Sequence, residues 1–262
     1  MSAPRNPVVV IPSRLASKRL PDKPLADING KPMIVHVWLG AVAADVGPVV
    51  VACGDAAIAA AVEAAGGRAV MTRPDHPSGS DRVFEALTIV DPAGAHDAVV
   101  NLQGDMVDVD NDFPDILAAV IAPLADGDVD IATVAAPFAD DEERENPNAV
   151  KAIVATGEGS RPRRALAFSR TAASIGDGVG EGMGDGALYH HIGIYAYRPQ
   201  ALARFVALPE GVAERKEKLE QLRAMEAGMR IDVGLVDRVP LEINTPADLE
   251  RARALLVPGT PG

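Results

Sequence analysis

The chain has 262 residues, 48 % of them hydrophobic, with 25 Lys and Arg against 37 Asp and Glu for a formal net charge of −12. That balance excludes a sequence-independent binder of nucleic-acid backbones, which needs a basic face, and without a run of about 18 apolar residues no membrane-spanning helix is expected. One cysteine, Cys53, excludes an internal disulfide, and the opening Met1–Pro7 lacks a signal peptide's apolar stretch, so the expectation is a soluble, acidic, cytoplasmic protein.

Strand-length and helix-length apolar segments alternate along the chain, the pattern of an α/β protein. Val8–Ile11 is a short β-branched run stopped by Pro12 and predicts a buried strand. Pro32 suits a first helical turn, and Met33–Ala44 carries apolar residues at helical spacing up to Gly47-Pro48. Val49–Ala52 predicts a strand, after which Asp55 caps a helix through Ala65 that Gly66-Gly67 ends. Ala69–Met71 is a short strand, and Ser80–Leu87 opens another helix. Ala98–Leu102 predicts a central strand ending at Gln103-Gly104-Asp105, followed by a helix over Phe113–Leu124 and a strand over Ile131–Ala136. Strands are expected at Val150–Val154, Ala165–Phe168 and Ile192–Tyr197. Lys216–Ala227 predicts one charged amphipathic helix, and Arg230–Leu235 a strand. The last helix spans Pro246–Leu256, with Thr245 as N-cap, Pro246 in the first turn and Asp248 three residues after the cap. No repeat or long linker divides the chain, which reads as a single domain over 1–262 with its core at about 8–256. Glycine at every second position over Gly176–Gly186 misses the G-x-G-x-x-G pattern and reads as a surface loop. Asp108–Asp115 lacks the glycine and terminal glutamate of a calcium loop and reads as solvated charge.

Three stretches carry candidate chemistry. Directly after the first strand, Arg14, Lys18, Arg19 and Lys23 crowd one loop of a strongly negative chain. Ligands of open α/β sheets gather at the carboxyl ends of strands. Arg offers phosphate a planar fork and Lys a point charge, so this loop suits a polyphosphate, with a solvated loop as the alternative. It is not a Walker loop, because Gly30-Lys31 is followed by Pro32. In Asn101-Leu102-Gln103-Gly104-Asp105 a carboxylate leaves the end of a central strand. Mg²⁺ beside a triphosphate uses such a group together with phosphates and water, whereas an Asp that caps the next turn is the plainer reading. Asp75-His76-Pro77-Ser78-Gly79-Ser80-Asp81-Arg82 is a polar turn entering a helix, able to offer backbone N–H groups to a base or anion, or simply an N-cap at Ser78 or Ser80.

Together these stretches resemble the 3-deoxy-manno-octulosonate (KDO) cytidylyltransferases, the CMP-KDO synthetases. The resemblance continues in family order through Asn146-Pro147-Asn148-Ala149-Val150-Lys151, Phe168-Ser169-Arg170, His191–Arg198 and Leu219-Glu220-Gln221-Leu222-Arg223, covering about Val8 to Leu256. It implies an α/β fold with a mixed sheet flanked by helices, a Rossmann-like nucleotidyltransferase of the glycosyltransferase-A type, acting as a homodimer. The implied reaction joins CTP and KDO to CMP-KDO and pyrophosphate with Mg²⁺, a step of lipopolysaccharide biosynthesis. Carried over by motif, Arg14 and Lys23 hold the triphosphate with Arg19 beside them, and Ser78, Gly79, Ser80 and Arg82 surround the cytidine. Gln103, Arg170, His191, Tyr195, Glu220 and Gln221 serve the sugar acid, Gln103 also facing the nucleotide. Asp105 is the metal carboxylate. Without the resemblance His191 reads as a strand histidine on the same face as Tyr195, and Glu220 and Gln221 as surface positions of a helix.

One departure bears on the metal. The family's late motif usually reads valine-aspartate-threonine-proline, and its aspartate is a second metal ligand, whereas Ile243-Asn244-Thr245-Pro246 places an amide there. An amide oxygen binds a hard cation without formal charge, so weaker metal affinity is expected. The loop after Asp105 also continues as Met106-Val107, without the proline of many relatives. The alternatives are the same chemistry on another sugar acid, of sialic-acid or amino-KDO type, and a CTP-binding protein without turnover.

Overall fold

The structure, a computed structural model, describes residues 3–17, 19–156, 163–171 and 186–256. Lys18 and the glycine-rich stretch up to residue 185 lie outside the described residues. In chain order the first elements are β1 (Pro7–Ser13), β2 (Asp27–Ile28), β3 (Lys31–Pro32), α1 (Met33–Ala43), β4 (Val49–Cys53), α2 (Ala56–Ala64) and β5 (Arg68–Met71). Then come α3 (Gly79–Val90), β6 (Ala98–Asn101), β7 (Met106–Val107), α4 (Phe113–Ile121), β8 (Ile131–Ala136), α5 (Asp141–Glu145), β9 (Lys151–Ala155) and β10 (Arg163–Ser169). The chain continues through β11 (Gly186–Tyr197), α6 (Pro199–Val206), α7 (Val212–Glu217) and α8 (Gln221–Glu226) to β12 (Ile231–Leu235), β13 (Leu241–Glu242) and α9 (Pro246–Leu255). The chain packs as two compact units, one of Arg5–Leu117 with the segment from Pro240 onward, the other built on Ala118–Val239.

In the first unit β5, β4, β1 and β6 lie side by side, all parallel, with Ile11 opposite Val51 and Val8 opposite Val99. Val8 to Ile11 are buried, which explains why that run shows no alternation: both of its faces are covered. Helix α2 ends on Gly66 at φ +87°, whose N–H bonds Glu63 O while that of Gly67 bonds Val62 O, the C-terminal motif expected from the glycine pair. Asp55 stands at the N-cap of α2 with an extended backbone, yet its side chain makes no cap bond. Its Oδ2 accepts instead from the Leu15 N–H at 2.8 Å, so the carboxylate ties down the cationic loop rather than the helix. The ladder β7–β13, with Val107 opposite Leu241 and Met106 opposite Glu242, returns the late chain to the loop after β6. Two-residue strands carry no readable periodicity, and sequence analysis does not anticipate this ladder.

The second unit orders its strands β11-β8-β12-β10-β9, with β9 also pairing the first half of β11, so the pairings return to their start. Strand β12 runs parallel to β8 and the other pairs are antiparallel. Strand β11 starts well before the expected Ile192, and its register on β8 slips between Ile192 and Tyr195, bulging Gly193 and Ile194. The helix expected over Lys216–Ala227 is broken into α7 and α8. Lys218 adopts the left-handed conformation (φ 56°) as C-cap of α7, and its N–H bonds Glu214 O at 2.7 Å. Arg223 then grips Glu214 with Nε and Nη2 at 2.7 and 2.5 Å, folding α8 back onto α7. The charged sequence keeps a helical period across the break and contains no Gly or Pro to mark it.

Candidate active site

The end of β1 and the loop after it form one wall of an open cavity of about 290 Å³ in the first unit. Arg14, Lys23, Ser78, Gly79, Arg82, Gln103 and Asp105, all singled out from sequence, line it. Two local features place them. Asp22 takes a left-handed conformation (φ 52°) and turns the chain into the short 3-10 turn Lys23–Leu25, which presents Lys23. Gly104 lets the Gln103–Asp105 loop close on β1, since a Cβ there would stand 2.8 Å from Pro12 O.

Lys23 is the hub. Its Nζ donates to Asp105 Oδ2 at 2.6 Å and to Asn244 Oδ1 at 3.3 Å, and Arg19 Nη2 donates to the same amide oxygen at 2.8 Å. A cation thus bridges the two oxygens that sequence analysis assigns to metal, and both are hard donors of the kind Mg²⁺ uses. Asn244 is held firmly: its N–H donates to Asp248 Oδ2 at 2.9 Å, and its Nδ2 to Glu242 Oε2 at 3.1 Å. The Thr245–Asp248 capping box forms as expected, and Asp248 therefore anchors both the start of α9 and Asn244. Ile243 N–H donates to Asp105 O at 2.9 Å and ties the two metal-candidate segments together.

Glu242 is a carboxylate that sequence analysis misses. Burial pushes its carboxyl up to about 7, and the neighbouring charge of Asp105 adds to the effect. Ser13 and His76 also line the cavity unforeseen. Among the described residues, Ser13 Oγ and His76 Nδ1 are buried without a hydrogen-bond partner, which a bound polar ligand would relieve. His76 is legible in the sequence only as part of the polar turn before α3, and Ser13 only as part of the loop expected after Pro12, whereas β1 runs on through it.

The turn residues divide by role. Ser78 is the N-cap of α3, accepting from Asp81 N–H at 3.2 Å. Ser80 is buried in the first turn of α3. Arg82 is buried, and its guanidinium donates to Thr72 Oγ1, Arg73 O and Pro74 O at 2.5, 3.0 and 3.3 Å. Burial and the charge of Arg14 both push its pKa down. It buttresses the cavity wall, while the exposed Arg14 and Arg19 face solvent.

Arg170, His191, Tyr195, Glu220 and Gln221 lie in the second unit. His191 is buried and sits edge-on to Phe168, with ring centroids 4.9 Å apart, and 5.6 Å from Tyr195. The bulge inserts two residues, so the expected shared face of His191 and Tyr195 survives it. Burial pushes the His191 imidazolium down to about 3, with His190 adding to the effect, so the ring is neutral. Burial, then Tyr197 and Glu220, raise the phenol of Tyr195 well above its ordinary value, which places Glu220 near it. Gln221 is buried, and its Nε2 finds no partner among the described residues. Arg170 Nε donates to Glu217 O at 2.9 Å, joining the end of β10 to the α7–α8 break. Lys151, wholly buried, donates from Nζ to Asn146 O, Ala149 O and Arg170 O at 2.6, 2.8 and 3.2 Å, and burial lowers its pKa. His191 and Tyr195 are thus neighbours, Glu220 acts on Tyr195 through its charge, Arg170 follows Phe168 by two residues at the end of β10, and Gln221 contributes a buried amide in search of a partner.

A parallel α/β unit with a cationic loop after its first strand and a carboxylate beyond the end of another has the layout of a nucleotide-binding protein. The cytidylyltransferase family profile matches residues 8–231. A 3-deoxy-manno-octulosonate cytidylyltransferase of Rhodospirillum centenum is 61 % identical over 99 % of this chain and 96 % of its own. That of Methylorubrum populi is 61 % identical over 96 % of this chain and 97 % of its own. The solved structure of a CMP:2-keto-3-deoxy-manno-octonic acid synthetase complexed with CTP superposes with a TM-score of 0.80 at 39 % identity, covering 96 % of this chain and 98 % of that one. The chain belongs to the 3-deoxy-manno-octulosonate cytidylyltransferase family.

Proposed function

We propose that the protein transfers a cytidylyl group from CTP to KDO, releasing pyrophosphate, as a homodimer in the cytoplasm and for lipopolysaccharide assembly. The observation that carries the reading is the bridge from the Lys23 ammonium to Asp105 and Asn244 on the wall of a cavity that also presents Arg14. The anomeric oxygen of the sugar acid forms a bond to the α-phosphorus while the bond from that phosphorus to the pyrophosphate oxygen breaks. Both reactants are anions, so the barrier is charge repulsion and alignment, which positioned cations relieve. Arg14, Lys23 and Arg19 neutralise the triphosphate and the departing pyrophosphate, while Ser78, Gly79, Ser80, Arg82 and Gln103 shape the nucleotide pocket. Asp105 and the Asn244 amide oxygen would hold Mg²⁺. When bound there, Mg²⁺ would draw charge from the phosphates and make the attacking hydroxyl more acidic. The sugar acid is assigned to Arg170, His191, Tyr195, Glu220 and Gln221.

Pyrophosphate release with CTP, KDO and Mg²⁺, each omitted in turn, tests the reading. Release that requires all three is the expected result. CTP binding without release would favour the non-catalytic alternative, for which the neutral Asn244 is the motive, and release with a nine-carbon acid in place of KDO would reassign the substrate.

A further inference from the structure

The bulge in β11 sets a problem that Thr133 solves. With Gly193 and Ile194 displaced from the ladder, the carbonyls of Ile192 and Ile194 turn toward β8, where Thr133 Oγ1 lies 3.2 and 2.8 Å from them. The same oxygen lies 2.9 Å from His191 Nε2, and both side chains are buried. A hydroxyl has one hydrogen to give. If it went to His191, two carbonyl oxygens would face a bare hydroxyl oxygen at hydrogen-bond distance with no hydrogen between, which is repulsive. The hydrogen therefore goes to the carbonyls, chiefly Ile194 O, and Oγ1 is left as an acceptor toward the imidazole. Only Nε2–H can donate to it.

We propose that Thr133 is a positioning residue that locks His191 in the Nε2–H tautomer, so that Nδ1 is a hydrogen-bond acceptor that reads a hydroxyl of the sugar acid. This inference rests on the assignment of His191 to the sugar acid and names the group it recognises. A neutral ring agrees with it, because burial disfavours the imidazolium that would otherwise serve the substrate carboxylate. The edge of Phe168 and the ring of Tyr195 restrict rotation of the imidazole, so the tautomer fixes which nitrogen accepts. Carboxylate recognition then falls to other groups, and His191 distinguishes substrates by a donor that they must carry. A site built to accept one hydroxyl rejects analogues that lack it far better than it rejects bulk differences.

The direct test is the ring ¹⁵N spectrum of His191 in the full-length protein without substrate, assigned through loss of the signal in H191Q. A proton on Nε2 is expected, and a proton on Nδ1 would overturn the proposal whatever the enzyme does. In Thr133→Val the lock is gone: the ring should shift toward Nδ1–H, and KM for the sugar acid should rise about tenfold while KM for CTP stays level. Thr133→Ser restores the hydroxyl and should restore both the spectrum and KM. If T133V folds and the sugar-acid KM does not change, or if both KM values rise together, the positioning role fails. Should T133V not fold, T133S and the wild-type spectrum still decide between the two tautomers. The ring spectrum needs no substrate, so it can fail while the pyrophosphate assay succeeds, and the reverse.

Discussion

The proposed function gives Lys23 a second role that competes with the one seen in the structure. Its ammonium donates to Asp105 and Asn244 at 2.6 and 3.3 Å. In the proposed reaction the same ammonium would pair with the phosphates of CTP. K23M should therefore lower kcat/KM for CTP by about 100-fold or more, the usual cost of losing one preorganised charge at a reacting phosphate. Pyrophosphate release measures it, and an effect under about threefold would remove Lys23 from the machinery. Asn244→Asp should lower the Mg²⁺ concentration for half-maximal rate, since a charged oxygen replaces a neutral one between Arg19 and Lys23. No change, or a rise, would count against Asn244 as a metal position. Arg14, Lys23, Asp105 and Asn244 are legible in the sequence chiefly through the family resemblance, because on their own the cations also read as a solvated loop and Asp105 as the cap of a turn. Glu242 is not, because its position two residues before Asn244 acquires meaning only through the β7–β13 ladder.

Among the helices and strands, sequence reasoning succeeds where punctuation is strong and fails where tertiary contacts break a period. The start of α9 is legible to the residue, as Thr245 and Asp248 exchange both capping bonds. Thr245→Ala should cost about 1 kcal/mol in urea unfolding, and the loss should also loosen Asn244 through Asp248. The break between α7 and α8 is invisible, since Lys218 is an ordinary helix former forced to φ 56° by the Arg223–Glu214 clamp. A left-handed residue with a Cβ carries strain of about 1 kcal/mol. K218G should therefore raise stability by about that amount, while K218V should lower it by at least as much. Equal stability for K218G and wild type would mean that the strain is relieved elsewhere in the turn. The bulge of β11 is not anticipated in the strand expected over Ile192–Tyr197, although Gly193 lies within it; Thr133 Oγ1 stands 3.2 and 2.8 Å from the carbonyl oxygens on either side of that glycine.

Over the molecule as a whole, the balance of charge makes acid the revealing stress. With 37 Asp and Glu in the chain, many carboxylates titrate as the pH falls, and a single histidine would be lost among them. Comparison with a variant isolates it. Burial holds the folded pKa of His191 down to about 3 against an ordinary 6.5, so over that interval the unfolded chain carries a proton that the folded one refuses. Unfolding is then favoured as pH falls, with stability present above about pH 6.5 and lost progressively toward pH 3. The slope is at most one proton, about 1.4 kcal/mol per pH unit. In H191Q the side chain does not titrate, and the carboxylates common to both proteins cancel from the difference. Wild-type stability minus that of H191Q should be flat above about pH 7 and should fall steadily on acidification below it. Urea titrations at a series of pH values provide the difference curve. A curve flat throughout would mean that the imidazole titrates normally in the fold, and a buried neutral ring bonded to Thr133 would then be untenable.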